Sequence, residues 1–396
     1  MPLPDKPSIV VLPFVNMSED PKQDYFSDGL TEDLTGDLAK ISSLFVITRN
    51  SAFTYKGKVA KVQDVSKELG VRYVLEGSVQ KAGDQVRVTA QLIDATSSYH
   101  LWSERYDRPL QDIFALQDEI RQKIVLALKV KLTQEEQERF KSAPTDNLEA
   151  YDYFLRGLER YWRLTKEANI QARQMFERAI ELDPRYAAAY AELGWTYTAA
   201  WFAQWSPDLQ ALEQAFELAQ KAVTLDDTSP RAHMLLDWIY LFKEQHGQAI
   251  AEVERAIVFD PNLAVGYARM GFILNFAGRP QEASGFVEKA LRLDPAYPFF
   301  SLAALGQAYR LVGRYEEAVA TFKRVLNLNP DLWVAHAQLT IIYSELGRDE
   351  EARAEAAELL RVSPNFSLEV MKQRLPVKDP VEVERYISAM RKAGLK

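Results

Sequence analysis

The acidic stretch "DYFSDGLTEDL" at residues 24–34 has groups that could bind a metal ion, because carboxylates surround its glycine. A calcium loop of the EF-hand type needs oxygen ligands at fixed positions around a central glycine and a glutamate at position 12. With Gly29 at the centre, Phe26 and Thr35 stand where two of those ligands belong. The spacing therefore favours a structural role for this stretch and predicts no metal site.

A second candidate is the basic stretch "RNSAFTYKGK" at residues 49–58. Its cationic side chains, together with nearby hydroxyl groups, could hold a phosphate or another anion through charge-assisted hydrogen bonds. A solvated loop explains the same composition, since short basic loops are common on protein surfaces. Both interpretations stay open, and the candidate anion-binding residues are Arg49, Lys56 and Lys58.

Other signatures of catalysis are missing from the sequence. The histidines are scattered and form no H-E-x-x-H pair, and no phosphate loop or G-x-S-x-G serine motif occurs. The chain has no cysteine, which excludes disulfides, thiolate metal sites and cysteine nucleophiles. We therefore predict a protein that is not an enzyme, with no catalytic residue, no metal and no cofactor.

Length, composition and net charge limit the domain count and the kinds of partner that we expect. The chain has 396 residues, of which 47% are hydrophobic, so two or three domains with their own cores are expected. A net charge of −8 argues against direct binding of nucleic acid. No apolar run is long enough to insert into a membrane, so we expect a soluble chain on the cytoplasmic or periplasmic side of the inner membrane.

One phrase recurs about every 34 residues in the second half of the chain, and such a period indicates an array of helix pairs. Each copy ends in a proline that stops a helix. Upstream of each proline, small and bulky residues alternate with the spacing of one helix face. The copies are "AIELDP" ending at Pro184, "AIVFDP" at Pro261, "ALRLDP" at Pro295, "VLNLNP" at Pro330 and "LLRVSP" at Pro364, with "AVTLDD" at Asp227 as a degenerate copy.

These motifs resemble the tetratricopeptide repeat (TPR), in the W/Y-x-x-L-G-x-x-Y order of the first helix and the A-x-x-x-F-x-x-A…P order of the second. About six copies span residues 149–364. The resemblance implies an all-α superhelix whose first helices, the A helices, line a groove for a peptide or a partner's helix. We therefore expect a protein partner.

One column of A-helix residues falls beside the packing face and is a candidate for contact with that partner. Its aromatic members could equally be core residues between repeats, since aromatic stripes at helical spacing often are. Truncating a core tryptophan would cost about 3–5 kcal/mol of stability, whereas truncating a groove tryptophan would mainly cost affinity. The predicted contacts are Trp195, Trp238, Phe272, Asn275, Gln307 and Arg310.

The first part of the chain reads as alternating strands and helices. Strands are predicted over residues 8–14, 44–48, 71–79, 85–94 and 100–106 from apolar runs and period-2 alternation. Helices are predicted from Leu30 to Ile41 with Ser27 or Asp28 as cap, from Val62 to Leu69 with Gly70 as stop, and from Asp112 to Leu132. This pattern indicates an α/β domain with a mixed sheet.

The segments "VVLPF", "YFSDGLTEDL", "FVITRNS", "ELGVRYVLEGSV" and "LWSERYDR" are similar, in this order, to the TolB-like module that precedes tetratricopeptide arrays in many bacterial proteins. In that family the module often follows a class III adenylate or guanylate cyclase domain or a winged-helix DNA-binding domain. Neither domain is recognisable in this sequence. The resemblance implies an accessory region that mediates interactions.

The predicted organisation is a linker remnant at 1–7, a TolB-like α/β domain at 8–140, a linker at 141–148, the repeat array at 149–364 and capping helices at 365–396. The leading hypothesis is a non-catalytic interaction module of a bacterial signalling protein. Two alternatives stay open: a periplasmic envelope assembly factor, and a sensor of small anions or nucleotides in the first domain. A homodimer is also compatible with the sequence.

Overall fold

A small mixed sheet with flanking helices begins the chain, and a TPR-like solenoid of paired helices follows. The fold class predicted from the sequence is thereby confirmed. The computed structural model describes residues 1–139, 144–203, 205, 210–296 and 298–396. The predicted linker at 141–148 lies partly outside the described residues, and so does the segment "WFAQWSPD" at 201–208, which is an insertion relative to the other repeats. The predicted domain boundaries stay predictions.

The sheet has the strand order β3-β1-β4-β5-β6, with β2 paired to β4. Strand β1 pairs in parallel with β3 and β4, and β2 pairs in parallel with β4, whereas β4, β5 and β6 form an antiparallel meander. The alternation predicted over 85–94 is confirmed, because Val86, Val88, Ala90 and Leu92 are all buried. The strands are β1 Ser8–Val11, β2 Val15–Asn16, β3 Phe45–Val46, β4 Tyr73–Ala82, β5 Gln85–Asp94 and β6 Tyr99–Pro109.

The acidic stretch is helical throughout, so the predicted helix start near Leu30 is wrong. Helix α1 (Asp24–Ala39) already begins at Asp24, and the Ser27 hydroxyl donates to the Asp24 carbonyl instead of capping. The basic stretch also contains a short helix, α2 (Arg49–Phe53), that the sequence did not predict.

The other helices of the first part follow their predictions more closely. Helix α3 (Val62–Leu69) ends at Gly70, whose φ of 65° lies in the left-handed region that favours glycine. Helix α4 (Ile113–Ala127) buries the predicted apolar face and ends five residues before the predicted Leu132. A further helix, α5 (Gln134–Arg139), follows it.

Local chemistry sets the ends of the repeat helices. The Thr165 hydroxyl accepts the Ala168 N–H and so begins α7, and α7 ends at Leu182 because the residue before a proline is driven out of the helical region. The described pairs are α6 Leu148–Tyr161 with α7 Lys166–Leu182, α8 Ala187–Phe202 with α9 Ala211–Leu225, α10 Pro230–Phe242 with α11 His246–Phe259, α12 Ala264–Phe276 with α13 Pro280–Leu293, α14 Phe299–Leu311 with α15 Tyr315–Leu328, and α16 Trp333–Glu345 with α17 Asp349–Val362. Two C-terminal helices follow, α18 Leu368–Arg374 and α19 Pro380–Lys392.

The chain forms two compact units. Unit 1 comprises residues 1–235, 256–263 and 293–296, and its core joins the sheet to the first repeats. Unit 2 comprises residues 236–255, 264–292 and 297–396, and its core joins the last repeats to α19. None of the helices in the described residues is long and apolar enough to span a membrane.

Unit 1 includes two loops that end repeats, and both contact the first part of the chain. The Asn262 amide donates to the Ala39 and Leu44 carbonyls at 2.8 and 3.1 Å and accepts the Val46 N–H at 3.2 Å. The Asp294 carboxylate accepts the Ser51 hydroxyl at 2.6 Å. Because these polar groups are buried and paired, they fix the repeat loops against the sheet domain.

Candidate functional site

Trp195, the first aromatic residue of the predicted column, is half-buried on α8 in unit 1. Its indole N–H donates to the Arg231 carbonyl at 3.4 Å, and the Arg231 guanidinium lies 5.2 Å from the centre of its ring. Arg231 in turn forms an ion pair with the buried carboxylate of Glu192, one turn before Trp195 on the same helix. The indole is therefore held in one orientation by a cation that is itself fixed.

Arg231 is also part of a ladder in which aromatic rings alternate with guanidinium groups. Arg49 lies 3.8 Å from the Phe53 ring centre and 5.0 Å from that of Trp162. Arg231 lies 5.8 Å from the Trp162 ring centre, which continues the ladder to Trp195. Contacts of this kind contribute about 0.5–1 kcal/mol each when exposed and more when desolvated. The ladder links the basic stretch to the aromatic column.

The basic stretch is paired with the acidic stretch, a relationship that the sequence did not predict. Arg49 forms an ion pair with Glu32 at 2.9 Å, and Lys56 approaches Asp28 at 2.6 Å. Burial raises the pKa of both carboxyl groups above the ordinary range. The Lys58 side chain is exposed. The charges of Arg49 and Lys56 are thus already balanced, and anion binding by these residues stays a prediction.

A cavity of about 190 Å³ lies where the two stretches meet helix α6. Each carboxylate in its lining pairs with a cation: Glu32 with Arg49, Glu159 with Arg163, and Asp28 with Lys56, which is not a lining residue. The lining contains three carboxylates and two arginines, so it has no excess positive charge to attract an anion. Its lining residues are Tyr25, Asp28, Gly29, Glu32, Arg49, Leu155, Leu158, Glu159, Trp162 and Arg163.

Trp238 is half-buried on α10 in unit 2 and has surroundings of the same kind as Trp195. The Arg269 guanidinium, from the A helix of the next repeat, lies 4.4 Å from its ring centre. Arg269 forms a buried ion pair with Asp237, with Nε 3.0 Å from the carboxylate. The Phe242 ring meets the indole edge to face at 4.8 Å. A tryptophan, an arginine from the following repeat and a carboxylate thus recur at two successive repeats.

Phe272 is half-buried on α12 and packs within an aromatic group of unit 2. Its ring centre lies 4.7 Å from that of Phe300 and 6.5 Å from that of Phe276. Aromatic pairs at these separations stabilise beyond their buried area, by about 0.5–1.5 kcal/mol. Phe272 therefore contributes to packing and also presents part of its ring to solvent.

Asn275, Gln307 and Arg310 are buried, in contrast to the three aromatic residues. The Asn275 amide donates to the Ala304 carbonyl at 2.9 Å, and Gln307 donates to the Tyr386 hydroxyl at 3.2 Å. They belong to a surface formed by α12, α14 and α16, the C-terminal groove, in which α19 contacts Gln307 and Arg310. A contact of these three residues with another protein stays a prediction, and it requires that α19 move away. The C-terminal groove is defined by Asn275, Gln307, Arg310, Gln338 and Ser344.

Three of the four histidines form hydrogen bonds with backbone carbonyls. His233 and His336 each bond a carbonyl in the loop before their own helix, at 2.9 and 3.0 Å, and His246 bonds the Pro376 carbonyl at 2.7 Å. His100 is exposed on β6. In the described part of the chain, no group of His, Asp and Glu side chains has an arrangement that could hold a metal ion.

Two family profiles match parts of the chain. The profile described as "Tetratricopeptide repeat" matches residues 309–369. The profile described as "HilA/YgeH-like transcriptional regulator, second domain" matches residues 5–123. A tetratricopeptide repeat is therefore confirmed at residues 309–369, and the first part of the chain is similar to a domain of transcriptional regulators.

Among curated proteins, "Putative adenylate cyclase 3" of Rhizobium meliloti (strain 1021) is 51% identical over 237 residues. The match covers 59% of this chain and 40% of that protein, so the chain spans less than half of its relative's length.

Among solved structures, the APC/C hetero-tetramer Cut9-Hcn1 aligns with a TM-score of 0.45 and 15% identity, over 72% of this chain and 54% of that one. TolB from Acinetobacter baumannii aligns with a TM-score of 0.25 and 21% identity, over 32% of this chain and 29% of that one.

Proposed function

We propose that the chain is a non-catalytic protein-interaction scaffold of a bacterial signalling protein, and that it holds a segment of a partner protein on the A-helix faces of its solenoid. Tetratricopeptide folds act as protein-interaction scaffolds. The signalling context is supported by the name of the Rhizobium meliloti relative and by the regulator-type domain match at residues 5–123. The TolB-like resemblance belongs to the same proposal and adds an accessory role for the first part.

The observation that carries the proposal is the repeated arrangement around Trp195 and Trp238. Each indole is half-buried and lies near a guanidinium from the next A helix, Arg231 or Arg269. Tryptophan and arginine are the residues that most often dominate the binding energy of protein interfaces. Because carboxylates hold both cations in place, a partner would meet aromatic surfaces whose side-chain entropy is already lost.

The ion pairs of the basic stretch support the non-catalytic part of the proposal. The charged side chains that the sequence singled out, Arg49 and Lys56, are paired with carboxylates on α1. The name of the cyclase relative applies to a protein of which this chain spans 40%, so its activity can reside in the remaining part. We expect the chain alone to form no cyclic nucleotide from ATP or GTP.

Quantitative affinity capture tests the proposal. The double variant Trp195→Ala/Trp238→Ala is compared with wild type in lysate of the source organism, and bound proteins are measured by mass spectrometry. A hot-spot tryptophan contributes 2 kcal/mol or more, so a partner held by either indole should be depleted more than tenfold. A matched control, Ile170→Ala/Val258→Ala, removes exposed apolar side chains from the second helices of two repeats and should retain the partner.

Thermal unfolding of the same variants separates binding from packing. Because Trp238 is half-buried, Trp238→Ala should cost clearly less than the about 3–5 kcal/mol of a fully buried tryptophan. A larger loss would show that the indole is a core residue. Recovery of the same proteins by the tryptophan variant, the control and wild type would refute binding on this face.

A further inference from the structure

Helix α19 lies across the C-terminal groove, in the position that the proposed function gives to a bound segment. The Lys378 N–H, just before α19, donates to the Phe276 carbonyl at the end of α12 at 2.9 Å. Further along, the Ser344 hydroxyl of α16 donates to the Ala389 carbonyl of α19 at 2.9 Å. The C-terminal segment therefore crosses the successive A helices α12, α14 and α16, all within unit 2.

Buried polar contacts hold α19 in the groove. The Arg310 side chain is 0% exposed, forms an ion pair with Glu382 of α19 and lies 4.2 Å from the ring centre of Tyr386. Arg310 also pairs with Glu345 of α16 at 2.9 Å, so its charge keeps a carboxylate even without α19. Gln307 donates to the Tyr386 hydroxyl at 3.2 Å. An interface of this kind can open to water without leaving Arg310 unpaired.

Apolar contacts add to these polar ones. Tyr386, Ile387 and Met390 of α19 are all 1% exposed or less and belong to the core of unit 2. Tyr386 and Met390 are four residues apart, so they share one face of the helix. The occupant of the groove is thus an amphipathic helix with a carboxylate, then an aromatic hydroxyl four residues later, then a bulky apolar residue.

Helix α19 does not satisfy every polar group that it covers. In the described part of the groove, buried atoms without a hydrogen-bond partner include Asn275 Oδ1, Gln338 Oε1, Glu345 Oε2 and Arg310 Nε. A buried polar atom without a partner destabilises the state that buries it. Gln338 bonds Tyr386 of α19 through its amide nitrogen, so a helix with a donor opposite Gln338 Oε1 would fit this groove better than α19 does.

We infer that α19 is an internal occupant of the C-terminal groove and that an amphipathic helix of the partner protein displaces it. This inference rests on the proposed function and names both the partner's chemistry and the regulation of the site. The displacing helix has a carboxylate opposite Arg310, an aromatic hydroxyl opposite Gln307, and hydrogen-bond donors where α19 has none. Without such a helix the groove stays closed.

A test on the full chain weakens α19 while keeping its shape. The double variant Glu382→Gln/Tyr386→Phe removes the charge that faces Arg310 and the hydroxyl that faces Gln307. The probe is a fluorescent synthetic peptide with the sequence of residues 376–396, followed by anisotropy. Amide hydrogen exchange is measured on the same proteins, and we expect the backbone amides of residues 381–392 to exchange at least tenfold faster in the variant than in wild type. We also expect the peptide to bind the variant at least tenfold more tightly than wild type.

The control variant is Glu384→Gln, which changes the same residue type on the exposed side of α19 and should behave like wild type. Adding Arg310→Ala, or Gln307→Ala if the former does not fold, should abolish peptide binding to the double variant.

The inference is overturned if the amides of α19 exchange only with global unfolding, as for a permanent cap, or if the peptide binds neither protein. Because this assay uses no partner protein, its failure would leave the capture result for Trp195 and Trp238 intact.

Discussion

The glycine of the acidic stretch should be required by packing, and a pair of substitutions on one helix can measure this. Gly29 lies inside α1, where a Cβ atom would stand 2.5 and 2.8 Å from the two methyl carbons of Leu155 on α6. Gly36 lies on the same helix with no atom within 4 Å of its virtual Cβ. Both glycines weaken the helix equally, so they differ only in what surrounds them.

The expected magnitudes follow from these contacts. In Gly36→Ala, the loss of backbone freedom in the unfolded chain should stabilise the protein by about 0.5–1 kcal/mol. Gly29→Ala brings the same gain but forces Leu155 to move, and overpacking of this kind costs about 1–3 kcal/mol. The two variants should therefore differ by about 1–3 kcal/mol in free energy of unfolding, with Gly29→Ala the less stable.

Urea unfolding followed by circular dichroism measures the difference. The double variant Gly29→Ala/Leu155→Ala supplies the control, because removing the obstructing methyl groups should turn the alanine at position 29 from destabilising to neutral or stabilising relative to Leu155→Ala alone. Equal stabilisation by Gly29→Ala and Gly36→Ala would refute the close approach of α1 to α6, and with it the structural explanation of the acidic stretch.

Two further predictions concern unit 1. Burial raises the pKa of Asp33 to about 7, while Tyr151 and Gln117 donate to its carboxylate. Between the ordinary pKa near 3.8 and the folded-state value of about 7, the folded protein binds more protons at Asp33 than the unfolded chain does, so this residue makes the free energy of unfolding fall as pH rises. The urea midpoint of Asp33→Asn, relative to that of wild type, should therefore rise from pH 4 to 7 and then stay constant. A difference between the two midpoints that does not change with pH would contradict this. Asn262→Ala leaves buried backbone groups unpaired and should lower the free energy of unfolding by about 1–3 kcal/mol. The control Asn365→Ala, at the corresponding exposed position of the last repeat, should change it by less than about 0.5 kcal/mol in thermal unfolding. Equal losses in the two variants would refute the docking role of Asn262.

Patterns that repeat along the chain were predictable from the sequence. The alternation from Val86 to Leu92 located β5 because one face of that strand is buried and the other is not. The prolines that close the repeats located the ends of helices such as α7, because proline acts on the residue directly before it. In both cases the cause of the structure lies within a few residues of its effect.

Features that depend on distant segments were not predictable. Ser27 and Asp28 have good capping chemistry, yet both lie inside α1, where Gly29 packs on α6 and Asp28 pairs with Lys56. Gln307 and Arg310 of the predicted column contact α19, but periodicity says nothing about which segment lies against them. The signal for that segment was the Glu382 and Tyr386 spacing on α19, which becomes meaningful only beside Arg310.

Two of the loops that end repeats make contacts that the repeat motif does not encode. Each of these loops has a polar residue beside its proline, where the helix ends. The Asp294 carboxylate additionally accepts hydrogen bonds from the Thr48 and Ser51 hydroxyls of the sheet domain. Asn262, two residues after Asp260, bonds three backbone segments of that domain. These contacts join residues more than 200 positions apart, so they leave no periodic trace.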